Sequence, residues 1–122
     1  MHIPYGKQSI SQEDINEVVK VLKSDFITQG PLIQTFENDF SRTVNAKYAT
    51  AVNSATSALH IACMALGLKA GDFLWTSPIS FVASSNCALY CNANVDFVDI
   101  DPNTFNLCAN KLEKKLAIAK KE

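Results

Sequence analysis

The stretch VNSATSALHIACMALG, Val52 to Gly67, sets a knot of small hydroxyl residues between two apolar runs. Ahead of it, Tyr48-Ala49-Thr50-Ala51-Val52 is short and rich in residues that suit a buried strand. Behind it, Leu59 to Leu66 is apolar almost all the way round, the pattern of a buried helix. The strand is expected to pass into the helix through Asn53, Ser54, Ala55, Thr56 and Ser57. Each of these residues is either small enough to let a group approach the backbone or able to hydrogen-bond it.

Outward from this point the chain alternates helix and strand. Ser11 is placed to cap a helix, with Glu13 and Asp14 in its first turn, where negative charge suits the dipole. Ile15, Val18, Val19 and Leu22 then recur at helical spacing. Residues 23–30 break that rhythm as a loop, and Pro31 opens a second helix with Leu32, Phe36 and Phe40 on its inward side. After the knot and its helix, Gly71-Asp72 makes a turn and Phe73 to Thr76 reads as a strand. A helix is expected within Ser80 to Asn92, and a further strand over Val95 to Ile100, closed by Asp101-Pro102. Leu112 to Lys120 is a lysine-rich amphipathic helix. Strands alternating with helices predict an α/β fold with a mainly parallel sheet. Three strands make a poor complete sheet, so the chain is expected to be one part of a larger domain.

Composition narrows the function classes. The chain has 122 residues, 48% of them hydrophobic, and a net charge of −1 from eleven basic and twelve acidic groups. That balance offers no basic face for nucleic acid. No run approaches the roughly eighteen apolar residues of a membrane helix, and Met1-His2-Ile3-Pro4 lacks the features of a signal peptide. A cytoplasmic location without membrane contact is therefore expected. Cys63, Cys87, Cys91 and Cys108 lack the spacing of a zinc site and are expected to be core thiols. No metal is expected. His60, one turn into the apolar helix, reads as a core or partner-facing imidazole.

The knot admits two readings. Ser, Thr and Asn are ordinary helix caps, and a capped buried helix needs no ligand. A helix N-terminus beyond the carboxyl end of a parallel strand is also a ready phosphate site, offering free N–H groups and partial positive charge. Neither of the glycine-rich phosphate signatures, G-x-x-x-x-G-K or G-x-G-x-x-G, is present. Several hydroxyls in a row nonetheless exceed what one cap requires.

Four segments in order, SDFITQGP, NSATSAL, TSPISFVASSNCALY and VDFVDIDPNTFNL, closely resemble the DegT/DnrJ/StrS-type sugar aminotransferases. The resemblance runs from about Tyr5 to Leu107 and corresponds to the N-terminal part of such enzymes. It implies the large domain of the aspartate-aminotransferase fold (fold type I of the pyridoxal-phosphate enzymes), present in part. Residues 1–30 would form an arm and helix lining the substrate site, and residues 31–122 a partial cofactor-binding domain. The cofactor implied is pyridoxal 5'-phosphate. Ala55 and Thr56 match the positions that bind its phosphate, and Phe81 matches the aromatic residue against its ring. Apart from the resemblance, a lesser alternative for Phe81 is a core aromatic that begins a helix. Tyr5, Asp25, Phe26, Ile27 and Thr28 match positions that line the substrate site, built at a homodimer interface.

The resemblance further implies transfer of an amino group, expected from glutamate, to C4 of a UDP-linked 4-keto-6-deoxy-N-acetylhexosamine. The family's Schiff-base lysine has no counterpart in this sequence, so no catalytic residue is assigned and the chain alone is expected to be inactive. A non-catalytic anion- or nucleotide-binding α/β module, or an interaction domain, would use the same segments without turnover.

Overall fold

The computed structural model describes residues 6–119. The chain divides into two compact units, Met1–Ala51 and Val52–Glu122. In the first, α1 (Gln12–Leu22) begins with a reciprocal cap. The Asp14 N–H donates to Ser11 Oγ at 3.2 Å, and the Ser11 N–H donates to Asp14 Oδ2 at 2.8 Å. Helix α2 (Pro31–Thr43) places Pro31 in its first turn, where the missing N–H costs nothing. Phe36 and Phe40 stack one turn apart along it, with ring centroids 6.0 Å apart. Both remain half exposed.

The expected strand at Tyr48–Val52 is absent: no residue of it belongs to a ladder among the described residues. Its composition suits a strand, but strand propensity is realised only against a partner. The Ala51 N–H instead donates to Glu37 Oε1 at 2.8 Å.

In the second unit, α3 (Ala55–Ala65) packs on α4 (Ala83–Tyr90). Between them in sequence lies β1 (Phe73–Thr76), and after α4 comes β2 (Asn94–Phe97). The two strands pair in parallel, Phe73 against Asn94 through Thr76 against Phe97. This is a β-α-β unit, as the alternation of patterns predicts. Strand β2 ends three residues earlier than expected; Ile100 makes only an isolated antiparallel bridge to Leu107.

The core is small in both size and side chains: Cys63, Ala83, Cys87, Ala88, Ala93 and Val98. Burial pushes the Cys63 thiol up to about 11, so it stays protonated and behaves as the small hydrophobe the sequence indicates. His60 packs its ring against Tyr90 of α4, centroids 5.2 Å apart. Helix α3 is not buried all round. Only Cys63 is fully covered, while Ile61, Met64 and Leu66 are exposed, because α4 covers one side alone. Among the described residues of this unit, α4 is the element that packs on α3.

Helix α5 (Ala109–Ala119) meets β2 through lysine side chains rather than close backbone contact. Lys111 Nζ lies 2.7 Å from Asp99 Oδ2, and Lys115 pairs with Asp96 and donates to the Phe97 carbonyl at 2.8 Å. The Lys115 ammonium also sits 5.0 Å from the centre of the Trp75 ring. The hydrogen bonds from Lys115 and Lys111 hold the Asp96 and Asp99 carboxyls below the usual range. Folded-state values that are depressed contribute stability above the unfolded carboxylate range and lose it as pH falls through them. Acidification below that range should therefore release α5. Trp75 is the only tryptophan, so its emission should report the release, and Asp96→Asn should remove most of the pH-dependent change. An emission profile identical in the variant would contradict the Asp96–Lys115 tether.

Candidate functional site

The hydroxyl knot meets the start of α3. Ser54 is the N-cap, with extended backbone (φ −161°, ψ 156°), and its Oγ accepts the Ser57 N–H at 3.2 Å. The Ser54 carbonyl accepts the Ala58 N–H at 3.1 Å. The Ser57 hydroxyl donates to Asn53 Oδ1 at 2.7 Å. Asn53, Ser54 and Ser57 thus satisfy one another and the helix end. The N–H groups of Ala55 and Thr56, with the Thr56 hydroxyl, have no hydrogen-bond partner among the described residues.

The capping reading and the phosphate reading fall on different atoms of the knot. Ser54 caps the helix. Ala55 and Thr56 stand at its first and second positions with two donors free, where the helix dipole is most positive. Ala55 is exposed and Thr56 half-buried. Two N–H groups, one hydroxyl and a dipole end form a donor set that fits a phosphate group. No lysine or arginine lies in Asn53–Ser57, so the set carries no formal charge.

Phe81 follows a turn at the end of β1, in which the Ile79 N–H donates to Ser77 Oγ at 3.3 Å. Its carbonyl accepts the Ser84 N–H at 3.0 Å as α4 begins. The ring is 75% exposed. Among the described residues no other side chain covers it, which leaves the core and ligand-facing alternatives both open. An exposed ring at the end of a strand is free to stack on a planar ligand.

Asp25, Phe26, Ile27 and Thr28 lie together in the loop between α1 and α2, in the first unit. Phe26 and Ile27 are 59% and 69% exposed. With Val18, Val21 and Phe36 they line a groove of about 590 Å³, whose acidic members are Glu17 and Asp39. Tyr5 lies outside the described residues. Sequence reasoning passed over two residues that shape this loop, Ser24 and Gly30. Ser24 Oγ lies 3.0 Å from the Phe26 carbonyl and accepts the Phe26 N–H at 3.4 Å. The signal was available in the Gly30-Pro31 pair, which marks where the loop must close onto a helix.

A model of the DegT/DnrJ/EryC1/StrS aminotransferase family matches residues 8–121. The spore coat polysaccharide biosynthesis protein SpsC of Bacillus subtilis is 42% identical over 111 residues, 91% of this chain and 28% of its own length. The UDP-4-amino-4,6-dideoxy-N-acetyl-beta-L-altrosamine transaminase of Campylobacter jejuni is 42% identical over 114 residues, 93% of this chain and 30% of its own length. The PLP form of Spr1654 from Streptococcus pneumoniae superposes with a TM-score of 0.86 at 30% identity, over 93% of this chain and 29% of that one. The chain spans about 30% of the length of the curated relatives it matches. Its fold is part of the α/β fold of the PLP-dependent aminotransferases.

Removing the cap should separate the two roles of the knot. Ser54→Ala deletes the acceptor for the Ser57 N–H and should cost about 1 kcal/mol of stability. Urea unfolding should show a lower midpoint at unchanged slope. A midpoint equal to wild type would mean that Ser54 does not cap α3.

Proposed function

We infer the function from one premise: the chain belongs to the DegT/DnrJ/EryC1/StrS aminotransferase family. We propose that it supplies the phosphate-anchoring and ring-stacking share of a PLP-dependent sugar-nucleotide aminotransferase. The observation that carries this reading is the pair of free donors at Ala55 and Thr56, beside a hydroxyl with no other partner.

Pyridoxal 5'-phosphate, when bound, supplies the electron sink that lets an amino group move between carbon skeletons. The Ala55 and Thr56 N–H groups and the Thr56 hydroxyl would hold its phosphate, at the positive end of the α3 dipole. Phe81 would supply an aromatic surface for the cofactor's ring. Asp25, Phe26, Ile27 and Thr28, with Tyr5, orient the sugar nucleotide. The amine nucleophile is supplied from outside these 122 residues. Lys111 and Lys115 are engaged with Asp99 and Asp96, which supports a structural role for both.

The substrate we favour is a UDP-linked 4-keto-6-deoxy-N-acetylhexosamine, aminated at C4 with glutamate as donor, in pseudaminic acid biosynthesis. Its support is the likeness to the Campylobacter jejuni transaminase. We place the enzyme in the cytoplasm as a homodimer, with the substrate site at the subunit interface.

Thr56→Val tests the anchor. In the enzyme at the full length of its relatives it removes one hydroxyl bond to a charged phosphate, worth about 1.5–3 kcal/mol. Cofactor affinity should fall about ten- to a hundredfold, read by dialysis and absorbance. Unchanged retention would remove Thr56 from the site. The 122-residue chain, mixed with cofactor, glutamate and a UDP-4-keto sugar, should yield no amino sugar, because no residue of it takes the part of the nucleophile. Product formation, with borohydride fixing the cofactor to one lysine of this chain, would overturn that assignment.

A further inference from the structure

Gly30 caps α2 with ordinary backbone angles, φ −81° and ψ 174°, that any residue adopts. Conformational freedom does not explain a glycine there. It also leaves α2 without a side-chain cap, which Ser, Thr, Asp or Asn would provide. What the missing side chain provides is room. A Cβ at position 30 would lie 2.7 Å from Phe26 Cβ and 3.4 Å from the Phe26 carbonyl oxygen. The obstructing atom adjoins the backbone, so no rotation of the Phe26 ring relieves the clash. The loop itself would have to move. On its other side the Phe26 N–H donates to Ser24 Oγ at 3.4 Å, and that hydroxyl has the Val21 carbonyl at 2.8 Å and the Phe26 carbonyl at 3.0 Å as acceptors for its one proton. Gln29 completes the closure in the left-handed region, at φ 52°.

The loop is thus fixed from both sides while it presents Phe26 and Ile27 to solvent. We propose that Gly30 is a positioning residue for the sugar-nucleotide site: lacking a side chain, it lets Phe26 seat against the start of α2 and sets the Asp25–Thr28 loop in its binding form. This rests on the proposed role of that loop in lining the substrate site. A cap on α2 is forgone so that the loop can close, which is how a preorganised site is built at some cost to its scaffold.

Steady-state kinetics of the enzyme at the full length of its relatives tests this. Gly30→Ala and Gly30→Ser should each raise KM for the sugar nucleotide about tenfold, with kcat and cofactor absorbance near wild type. Gly30→Ser gains a cap, so its melting temperature should hold or rise while KM worsens; a merely structural glycine would not give that split. In a Phe26→Gly background the obstructing Cβ is gone, and adding Gly30→Ala should change KM no further. If Phe26→Gly raises KM and Gly30→Ala does not, the positioning role is overturned and the substrate loop stands. If neither changes KM, the loop does not line the substrate site and both fall. If KM, kcat and melting temperature decline together in the Gly30 variants, the glycine serves stability alone.

Discussion

The second unit depends on the close approach of α3 to α4. Alanine and cysteine make it possible: Cys63 on one helix and Ala83, Cys87 and Ala88 on the other are small enough to let the helices pack on one another. Helix α4 in turn bridges β1 and β2, so the parallel pair is aligned by the helix between its strands. A larger side chain at any of these buried positions would overpack a tight core, which is itself destabilising. The N-terminus of α3, with the unpaired Ala55 and Thr56 N–H groups, and the turn carrying Phe81 lead into these same two helices.

Helix termini carry a fixed inventory of unpaired donors, and this one divides it. Asn53, Ser54 and Ser57 form a closed set that completes the helix end. Ala55 and Thr56 remain outside it. The division separates the groups that complete the helix from the groups left without a partner at adjacent residues. An alanine at the first position also keeps side-chain bulk away from whatever approaches the donors.

Much of this was legible in the sequence. Ser11 with Asp14, Pro31, and the strand–helix–strand rhythm from Phe73 onward each state a local preference that the fold keeps. The knot showed its position at a helix start because capping is a local matter. Tyr48–Val52 misled because a strand requires a partner, and its composition cannot state whether one is present. The apolar wrap of α3 records what a surface suits, and the exposed Ile61, Met64 and Leu66 agree with the expectation that this chain is one part of a larger domain. Gly30 escaped notice because its constraint is a contact four residues back, visible only when the loop is closed.

The neutrality of the Asn53–Ser57 segment bears on how the site responds to its surroundings. An anion seated at Ala55 and Thr56 would be held by short-range donors and a helix dipole, with no ammonium or guanidinium of that segment beside it. Long-range attraction between full charges fades as ions accumulate, over a Debye length of about 8 Å at physiological salt. Contacts at hydrogen-bond distance fade far less. Such a site would gain little from electrostatic steering and lose little in concentrated salt. It would discriminate by the shape of the oxygen cluster presented to it, favouring a tetrahedral monoester over a spherical halide of similar charge.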